Sequence, residues 1–395
     1  MSYHRSRLMA FLTTGFIAAA LPQGAWAASA EEVAQRMEAM FEKQGMEATW
    51  AGVSGDGTQV TLEGVVVQPV GTDNQIPLGN IQLGDISDDG DTIVVGTLSM
   101  PTYSFANEGV NVEIYGISVS GLQLPPEGGD DVASKISFYE SADLDSLTVT
   151  RAGSTLFSLE QLHFEMSPPG DDAPLEFSGA AERFSADLTA IEDPQAKATV
   201  QALGYEQIQG YLEMAGSWNP ADGRMVVDQY DVSIDEAGTI GLTIDISGYT
   251  PAFIDAMRDV QTKMAEGEGQ DQSAQGMAML GLMQQLTLNG AALRFDDDTL
   301  TDKVLAFLAA QQGVKPADIA NQAKAILPFA MAQLNNPELT AAVSAAVNKF
   351  LDDPQSLEIR VAPASPLPFA MVAAGAMTAP QALPQQLGLT INANE

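Results

Sequence analysis

The strongest constraint on the fold of this chain is the pattern of apolar residues between Gly216 and Tyr249, where three alternating stretches are separated by two turn signals. In the last stretch, four apolar residues share one face of a strand and polar residues or glycine take the other; the four are Ile240, Leu242, Ile244 and Ile246. The middle stretch slips by one position after Val227 and resumes at Tyr230. The pattern predicts an antiparallel sheet with one apolar face and a bulge or bend in its middle strand.

Related spacing occurs earlier in the chain. An apolar-x-x-apolar-x-apolar pattern is present in four segments: Leu78-Ile81-Leu83, Ile114-Ile117-Val119, Leu144-Leu147-Val149 and Leu159-Leu162-Phe164. A chain this apolar also produces the spacing by chance, but it is consistent with a repeated, bending strand unit. Alternating stretches divided by Gly, Asp, Asn and Pro fill residues 49–249, which predicts a meander.

Helical spacing of apolar residues predicts one helix at the start of this region and several after it. The first helix follows the capping box Ser29-Ala30-Glu31-Glu32. Later helices are expected from Pro251, near residues 299–313, from Pro316, and from Pro337 to Leu351. Three strands are expected among or after them, in LTLNGAALRF, SLEIRVAP and LGLTINA. A Met-rich segment around Met277, Met279 and Met283 is expected to fill a core between helix and sheet.

We therefore predict an α+β fold: a long antiparallel, bending β-meander, followed by amphipathic helices that pack on the same sheet, with C-terminal strands. Three parts are expected along the chain. Residues 1–27 are a signal peptide, residues 28–250 are β-rich with one N-terminal helix, and residues 251–395 are helix-rich with interspersed strands.

The first 27 residues have the features of a cleaved export signal. Arg5 and Arg7 precede an apolar run from Leu8 to Leu21, and Ala25-Trp26-Ala27 is a small-x-small cleavage site. The run has 14 residues, fewer than the roughly 20 needed to cross a bilayer, so cleavage is favoured over a retained anchor. We expect a periplasmic protein, and the absence of cysteine means that a hydrophobic core must supply its stability.

The charge excludes one class of partner. The chain has 52 acidic and 17 basic residues, a formal net charge of −35, and its lysines are scattered singly. A nucleic-acid binder needs a basic stripe that releases counterions, so nucleic acid is excluded, and docking on an anionic membrane surface is disfavoured. Solubility in a salty environment is the simplest interpretation of the acidity.

No reaction is recognisable in the sequence. His163 is the single histidine after the export signal and lies between Leu162 and Phe164, on the outward face of a strand, so a surface role is favoured over a catalytic base. Serine-hydrolase elbows and the S-x-x-K motif are absent, and the many carboxylates single out no glycosidase pair. We expect that the chain is not an enzyme and needs no cofactor.

Metal sites are not predicted either. One histidine and no cysteine are too few ligands for zinc. The segment DISDDGDTIVVG places acidic and hydroxyl groups as in a calcium loop, but Gly96 occupies the position of the closing glutamate, so an acidic hairpin turn is favoured. In RFDDDTLTDK, Asp298 or Thr299 is expected to cap the helix that follows.

Two stretches resemble a known group of proteins: GSWNPADGRMVVDQYDVSIDEAGTIGLTIDISG and LTLNGAALRFDDDTLTDKVLAFLAAQQGV. In pattern they resemble strand-rich periplasmic proteins of the AsmA-like and YdgA-like kind. These are exported bacterial chains with long meandering sheets, and a role in lipid handling at the cell envelope is proposed for the AsmA-like ones. The resemblance implies a similar sheet and an envelope role, and it assigns no residue a function.

The expected function is therefore envelope-associated binding or maintenance without catalysis. The expected partner is a lipid or an envelope protein, and no transmembrane helix is expected after signal cleavage. The candidate apolar ligand face consists of Ile240, Leu242, Ile244 and Ile246. Two alternatives stay open, a structural or protein-interaction module and a periplasmic hydrolase, and the oligomeric state is not predicted.

What covers this face is a separate question. Each of the four side chains would gain on the order of 2 kcal/mol from burial. Either the helices of residues 250–351 cover the face or a lipid-like ligand does. Coverage by the helices is favoured, because layering of helices on a sheet is the commonest way to bury one apolar face.

Overall fold

A computed structural model describes residues 28–395, except residues 108, 127, 129–137, 168–172, 266–271 and 333–334. The expected signal peptide, residues 1–27, lies outside the described residues. Sixteen strands are present in the part of the chain that the structure describes. The first nine are β1 Met46–Thr49, β2 Gly52–Gly55, β3 Val60–Pro69, β4 Ile76–Asp89, β5 Thr92–Asn107, β6 Val110–Leu124, β7 Ser141–Arg151, β8 Ser154–Ser167 and β9 Leu175–Asp187. The others are β10 Gln207–Asn219, β11 Arg224–Ile234, β12 Gly238–Ser247, β13 Thr287–Asp297, β14 Ser356–Val361, β15 Leu367–Pro368 and β16 Thr390–Ala393.

The helices occupy the two ends of the chain more than its middle. The described residues form α1 Ala30–Lys43, α2 Pro194–Leu203, α3 Pro251–Ala265, α4 Gln272–Met283, α5 Leu300–Gln312, α6 Pro316–Met331, α7 Pro337–Asp352, α8 Phe369–Thr378 and α9 Leu383–Gln386, with a 3₁₀ turn at Leu188–Ala190. The helices predicted from the sequence are all present. The sequence analysis did not predict α2, although Asp193 caps it and Pro194 occupies its first turn.

All sixteen strands belong to one antiparallel sheet, and neighbours in the sheet follow the order of the chain. The path runs from β1 through β3 to β14 and ends at β16, while β2 pairs with β3 and β15 pairs with β13. The sheet continues past residue 250 into β13, β14 and β16, with the later helices inserted between these strands. The predicted α+β fold, with a long antiparallel meander, several helices and C-terminal strands, is confirmed.

The phase slip after Val227 is a β-bulge. On β11, Val227 pairs with Gly216 and Gln229 pairs with Ala215, so Asp228 is the extra residue. The bulge returns Tyr230 and Val232 to the face that Val227 occupies, since a one-residue insertion reverses the side-chain alternation. The bulge predicted for the middle strand is confirmed.

The earlier spacing marks matching interruptions on adjacent strands. Leu144 pairs with Leu162 and Leu147 pairs with Leu159, so both strands place two residues between successive apolar ones. On β8 the second of these, Gln161, has a left-handed backbone with φ of 50°. Because both strands have the extra residue at the same level, their pairing stays in register across this interruption.

The first part of the sheet has a closed core. Helix α1 begins at Ser29, whose side chain accepts a hydrogen bond from the Glu32 amide, as the capping box predicts. The helix places Val33 and Met37, both fully buried, on the inner residues of β3 to β6, which include Leu62 and Val95. The acidic turn that follows β4 is a tight hairpin in which Asp89 pairs with Thr92, so the hairpin favoured over a calcium loop is confirmed.

The C-terminal helices cover the other end of the sheet. Phe350 and Ala346 of α7 pack on residues of β13, β14 and β16, among them Phe295 and Leu357. Thr299 occupies the N-cap position of α5, as one of the two predicted residues, but its hydroxyl makes no capping hydrogen bond. The Asp297 carboxylate instead accepts a hydrogen bond from the Thr301 amide, at 2.9 Å. In the described part of the chain, no helix has both the length and the apolar character needed to cross a membrane.

Candidate functional site

Strand pairing in β7 to β13 collects apolar side chains on one side of the sheet, which we call the apolar face. One row crosses all seven strands through directly paired residues, which lie on the same side by the rules of antiparallel pairing. This central row consists of Leu144, Leu162, Ala181, Leu212, Val232, Ile240 and Phe295. It extends over six inter-strand spacings, or about 29 Å at roughly 4.8 Å each.

The four residues of the predicted ligand face lie on β12 within the apolar face. Ile240 belongs to the central row, and Leu242 and Ile244 pair with Leu293 and Ala291 of β13. Ile246 pairs with Met225 of β11. The strand therefore presents all four side chains on one side, as the alternation predicts.

Much of the apolar face is open to solvent. Ile240 is 53% exposed and Leu293 is 48% exposed, while Leu242, Ile244 and Ile246 are half-buried. The expectation that the helices of residues 250–351 cover the face is wrong for Ile240. Helix α7 packs on β14, β16 and the neighbouring side chain of Phe295, while Ile254 of α3 packs near Trp218. The expected burial of the Met-rich segment is also wrong for Met279, which is 44% exposed.

Glycines keep the floor of the apolar face shallow. Phe164 pairs with Gly179, and a Cβ atom at Gly179 would come within 2.9 Å of the phenyl ring. Phe177 pairs with Gly216 in the same way, at 2.6 Å. A phenyl ring that lies over a glycine of the neighbouring strand fills the space of the missing side chain. The ring therefore lies along the surface of the sheet and does not project from it.

The apolar face ends in a cavity of about 360 Å³, which we call the Trp218 cavity. Its volume lies in the range of small-molecule sites. The strands contribute mainly large apolar side chains, and Trp218 donates a hydrogen bond from Nε1 to the Tyr249 carbonyl oxygen, at 2.7 Å. The lining residues are Lys43, Gln44, Met166, Leu175, Phe177, Trp218, Met225, Tyr249, Ile254 and Arg258.

Two cations line this cavity in a strongly acidic protein. Lys43 lies in the last turn of α1, and Arg258 lies in α3. Of the residues that the structure describes, those lining the cavity include no carboxylate. Arg258 has Asp255 beside it in its own helix, with 3.9 Å between Nη1 and Oδ1, and both side chains are more than 40% exposed. An ion pair this long and exposed contributes little to stability.

The opposite side of the sheet is polar and makes cross-strand hydrogen bonds. His163 lies there, as predicted, and is half-exposed. Its Nδ1 is 2.6 Å from Asp143 Oδ1, and its Nε2 is 3.0 Å from Glu165 Oε1. The hydrogen bond with Asp143 and then that with Glu165 raise the pKa of His163 above its usual value. With a carboxylate on each ring nitrogen, this histidine has no nitrogen left to accept a proton from a nucleophile.

Catalytic and metal sites are not identified by the geometry. Within the described residues, no group of three or more His, Cys, Asp or Glu side chains could hold a metal ion.

The C-terminal part of the chain matches a family model described as an uncharacterized protein, over residues 231–394. No curated protein matches the chain. The matched range is less than half of the sequence and runs from within β11 to the end of β16. It contains the apolar residues of β12 and β13 together with Arg258, and it excludes Trp218 and Lys43.

The sequence analysis missed the Trp218 cavity. The alternation around Trp218 and Met225 places both on the apolar face, which is a usable signal for two of the lining residues. Lys43 and Arg258 could not be found in this way, because they come from two helices that are more than 200 residues apart in the chain.

Proposed function

We propose that this chain is an exported protein of the periplasm that binds lipid-like ligands on its apolar face and serves the cell envelope without catalysis. The observation that carries the proposal is the exposure of Ile240 and Leu293 in the middle of a continuous apolar surface. Contiguous exposed apolar surface in a folded protein commonly marks a binding site.

The dimensions of the apolar face suit an acyl chain. The central row is about 29 Å long, whereas one leaflet occupies about half of a hydrocarbon core of roughly 30 Å. An extended chain of leaflet length therefore fits on the face with room for a second. Van der Waals contact with half-buried Leu, Ile and Phe side chains, and release of the water over them, would drive binding.

Export is supported by the features of residues 1–27, and the role at the envelope is supported by the resemblance to AsmA-like and YdgA-like proteins. Expression in a bacterial host tests the first point, because intact-mass measurement of the periplasmic fraction should give a chain that begins at or near Ala28. A chain that keeps residues 1–27 would refute cleavage and favour an anchored form.

Native mass spectrometry with organic extraction of the purified protein tests ligand binding. We expect reproducible, stoichiometric lipid on the wild type and its loss in Ile244→Asp, which places a charge on the apolar face. Thr243→Asp is the matched control, because Thr243 is exposed on the other side of the same strand, and it should retain lipid. Circular dichroism must show that both variants fold. Lipid-free wild type that takes up no fluorescent fatty acid would refute the proposal.

A protein-interaction role is the second candidate, and one observation favours it. No charged residue occurs between Arg360 and Glu395, and Met371 and Met377 of α8 in this segment are 58% and 86% exposed. Exposed methionines make adaptable contacts. Cross-linking in cells that captures one reproducible envelope protein with wild type, and not with Met377→Glu, would support this role.

A further inference from the structure

We propose that an extended segment of another protein binds beside β16 as an additional strand of the sheet, in a groove between this strand and α7. The segment is neutral or basic, and some of its side chains pack against α7. This inference concerns the edge of the sheet and is independent of lipid binding on the apolar face.

Strand β16 has an edge that no described strand occupies, since it pairs with β14 alone and ends the path of the sheet. The Asn394 amide continues this ladder and donates to the Ser356 carbonyl oxygen, at 2.8 Å. Bonded and non-bonded pairs alternate between antiparallel strands, so Ile391 directs its N–H and C=O groups away from β14. Leu389 has the same orientation, and its amide donates to the Pro384 carbonyl oxygen on that side, at 2.9 Å.

A cavity of about 480 Å³ lies against this edge, and we call it the β16 groove. Residues 388–392 all line the groove. Because successive side chains of a strand point to opposite faces of the sheet, a cavity that contacts every one of these residues lies along the backbone edge and not over one face. Leu339 and Ala342 of α7 form a second wall, and Pro384 of α9 closes one end.

The groups exposed in the groove match an extended polypeptide. The N–H and C=O of Ile391 have no partner among the described residues, and the main chain of an added strand would pair with both at the usual spacing of about 4.8 Å. Half-buried Leu339 and exposed Ala342 would contact the side chains of that strand that point towards α7. An acyl chain has no donor or acceptor for the two backbone groups, so it is a poor occupant of this groove.

A second copy of β16 does not fit there. Antiparallel pairing of two identical strands is two-fold symmetric, with the axis perpendicular to the sheet, so both α7 helices would lie on the same side. Ala346 and Phe350 of α7 form one cluster with Ile391 and Ala393, which places the helix above β16. The two strands would be about 4.8 Å apart, whereas packed helices need about 8–10 Å between their axes. The occupant is therefore a segment without a helix above it.

Charge restricts the composition of the segment. The formal net charge of the chain is −35, and Glu338 is the one charged residue among the described residues that line the groove. An acidic segment would be repelled by the protein as a whole, whereas a neutral or basic one would not.

The experiment uses a designed strand peptide, fluorescein-labelled KTVTVTK with an amidated C-terminus, and measures its binding by fluorescence anisotropy. A second peptide has the same side chains but is N-methylated on all its central residues, so these residues cannot donate backbone hydrogen bonds. The proteins are wild type, Ala342→Tyr, which fills the groove, and Ala341→Tyr. Ala341 is the matched control, because it is exposed in the same helix and does not line the groove.

We expect wild type to bind the unmodified peptide. Both the Ala342→Tyr substitution and N-methylation of the peptide should weaken binding at least about tenfold, which corresponds to about 1.4 kcal/mol. Ala341→Tyr should stay within about twofold of wild type, as for an ordinary surface substitution. In NMR hydrogen exchange, the Ile391 amide should exchange more slowly when the peptide is bound, whereas the amides of Thr390 and Asn392, already bonded to β14, should change little.

Four outcomes would overturn the proposal. The first is that the unmodified peptide does not bind, or binds without slowing exchange at Ile391. The second is equal binding of the N-methylated peptide, which would exclude strand addition. The third is equal weakening in Ala341→Tyr, which would place the peptide elsewhere. The fourth is a wild-type dimer in light scattering that Ala342→Tyr converts to a monomer, which would assign the groove to a second copy. None of these results bears on lipid retention by the apolar face, which is measured separately.

Discussion

Replacing a leucine on the apolar face should cost much less stability than replacing a leucine of the closed core. Leu293 of β13 and Leu62 of β3 form a matched pair, since each lies in a strand with neighbours on both sides. Leu293 is 48% exposed, whereas Leu62 is fully buried against the cluster beneath α1. Leu→Ala at both sites removes the same atoms from the same type of element, so strand propensity changes by a similar amount.

The expected difference follows from burial. Leu→Ala in a closed core costs about 2–5 kcal/mol, because the lost transfer free energy is joined by the cost of a cavity. At Leu293 the removed atoms correspond to about three methylene groups, each with a transfer free energy of roughly 0.8 kcal/mol when fully buried, and only about half of their surface is buried. Water fills the space left on an open face, so no cavity term is added. We therefore expect Leu293→Ala to cost about 1 kcal/mol.

Native-state hydrogen exchange is the suitable assay, because it reports the free energy of opening separately for each region. Amides of β3 should lose at least about 2 kcal/mol of protection in Leu62→Ala, and those of β13 about 1 kcal/mol in Leu293→Ala. A cost at Leu293 equal to that at Leu62 would refute the open apolar face, and would mean that something in solution covers it. Saturating lipid should raise the cost at Leu293, since the side chain then becomes buried.

Three further results are expected. NMR titration should give His163 a pKa above its usual value, and the variant Asp143→Asn should lower that pKa. The contacts of protonated His163 should stabilise the fold fully below the unfolded-state pKa of about 6.5, and this stabilisation should be lost as the pH rises through the folded-state pKa. In urea unfolding, Asp297→Ala should cost about 1 kcal/mol through the cap of α5, while an equal cost in Asp298→Ala would contradict this assignment. Met37→Ala should lower the free energy of unfolding in urea by about 2–5 kcal/mol and detach α1 from the sheet, because Met37 is fully buried between that helix and the sheet. A decrease of less than about 1 kcal/mol would show that α1 does not close the core.

Local patterns in the sequence were enough to predict most of the secondary structure. The alternation in β12 and the slip in β11 depend only on neighbouring residues, because the side-chain period of a strand and the effect of one inserted residue are local properties. The start of α1 at Ser29 is equally local, since a capping box needs residues only three positions apart. These features were therefore predictable without any knowledge of distant contacts.

Only the tertiary structure decided which apolar surfaces are covered. The sequence showed an apolar face on β12 and amphipathic helices after it. The apolar stripe of such a helix can pack on any apolar sheet surface, so the sequence did not show which strands the helices cover. The strand connections brought α7 over β14 and β16, which leaves Ile240 exposed. The Trp218 cavity is a further example, because Lys43 and Arg258 line one cavity only after the twelve strands between α1 and α3 have assembled into the sheet. Burial and charge clustering depend on such long-range placement, which periodicity along the chain does not encode.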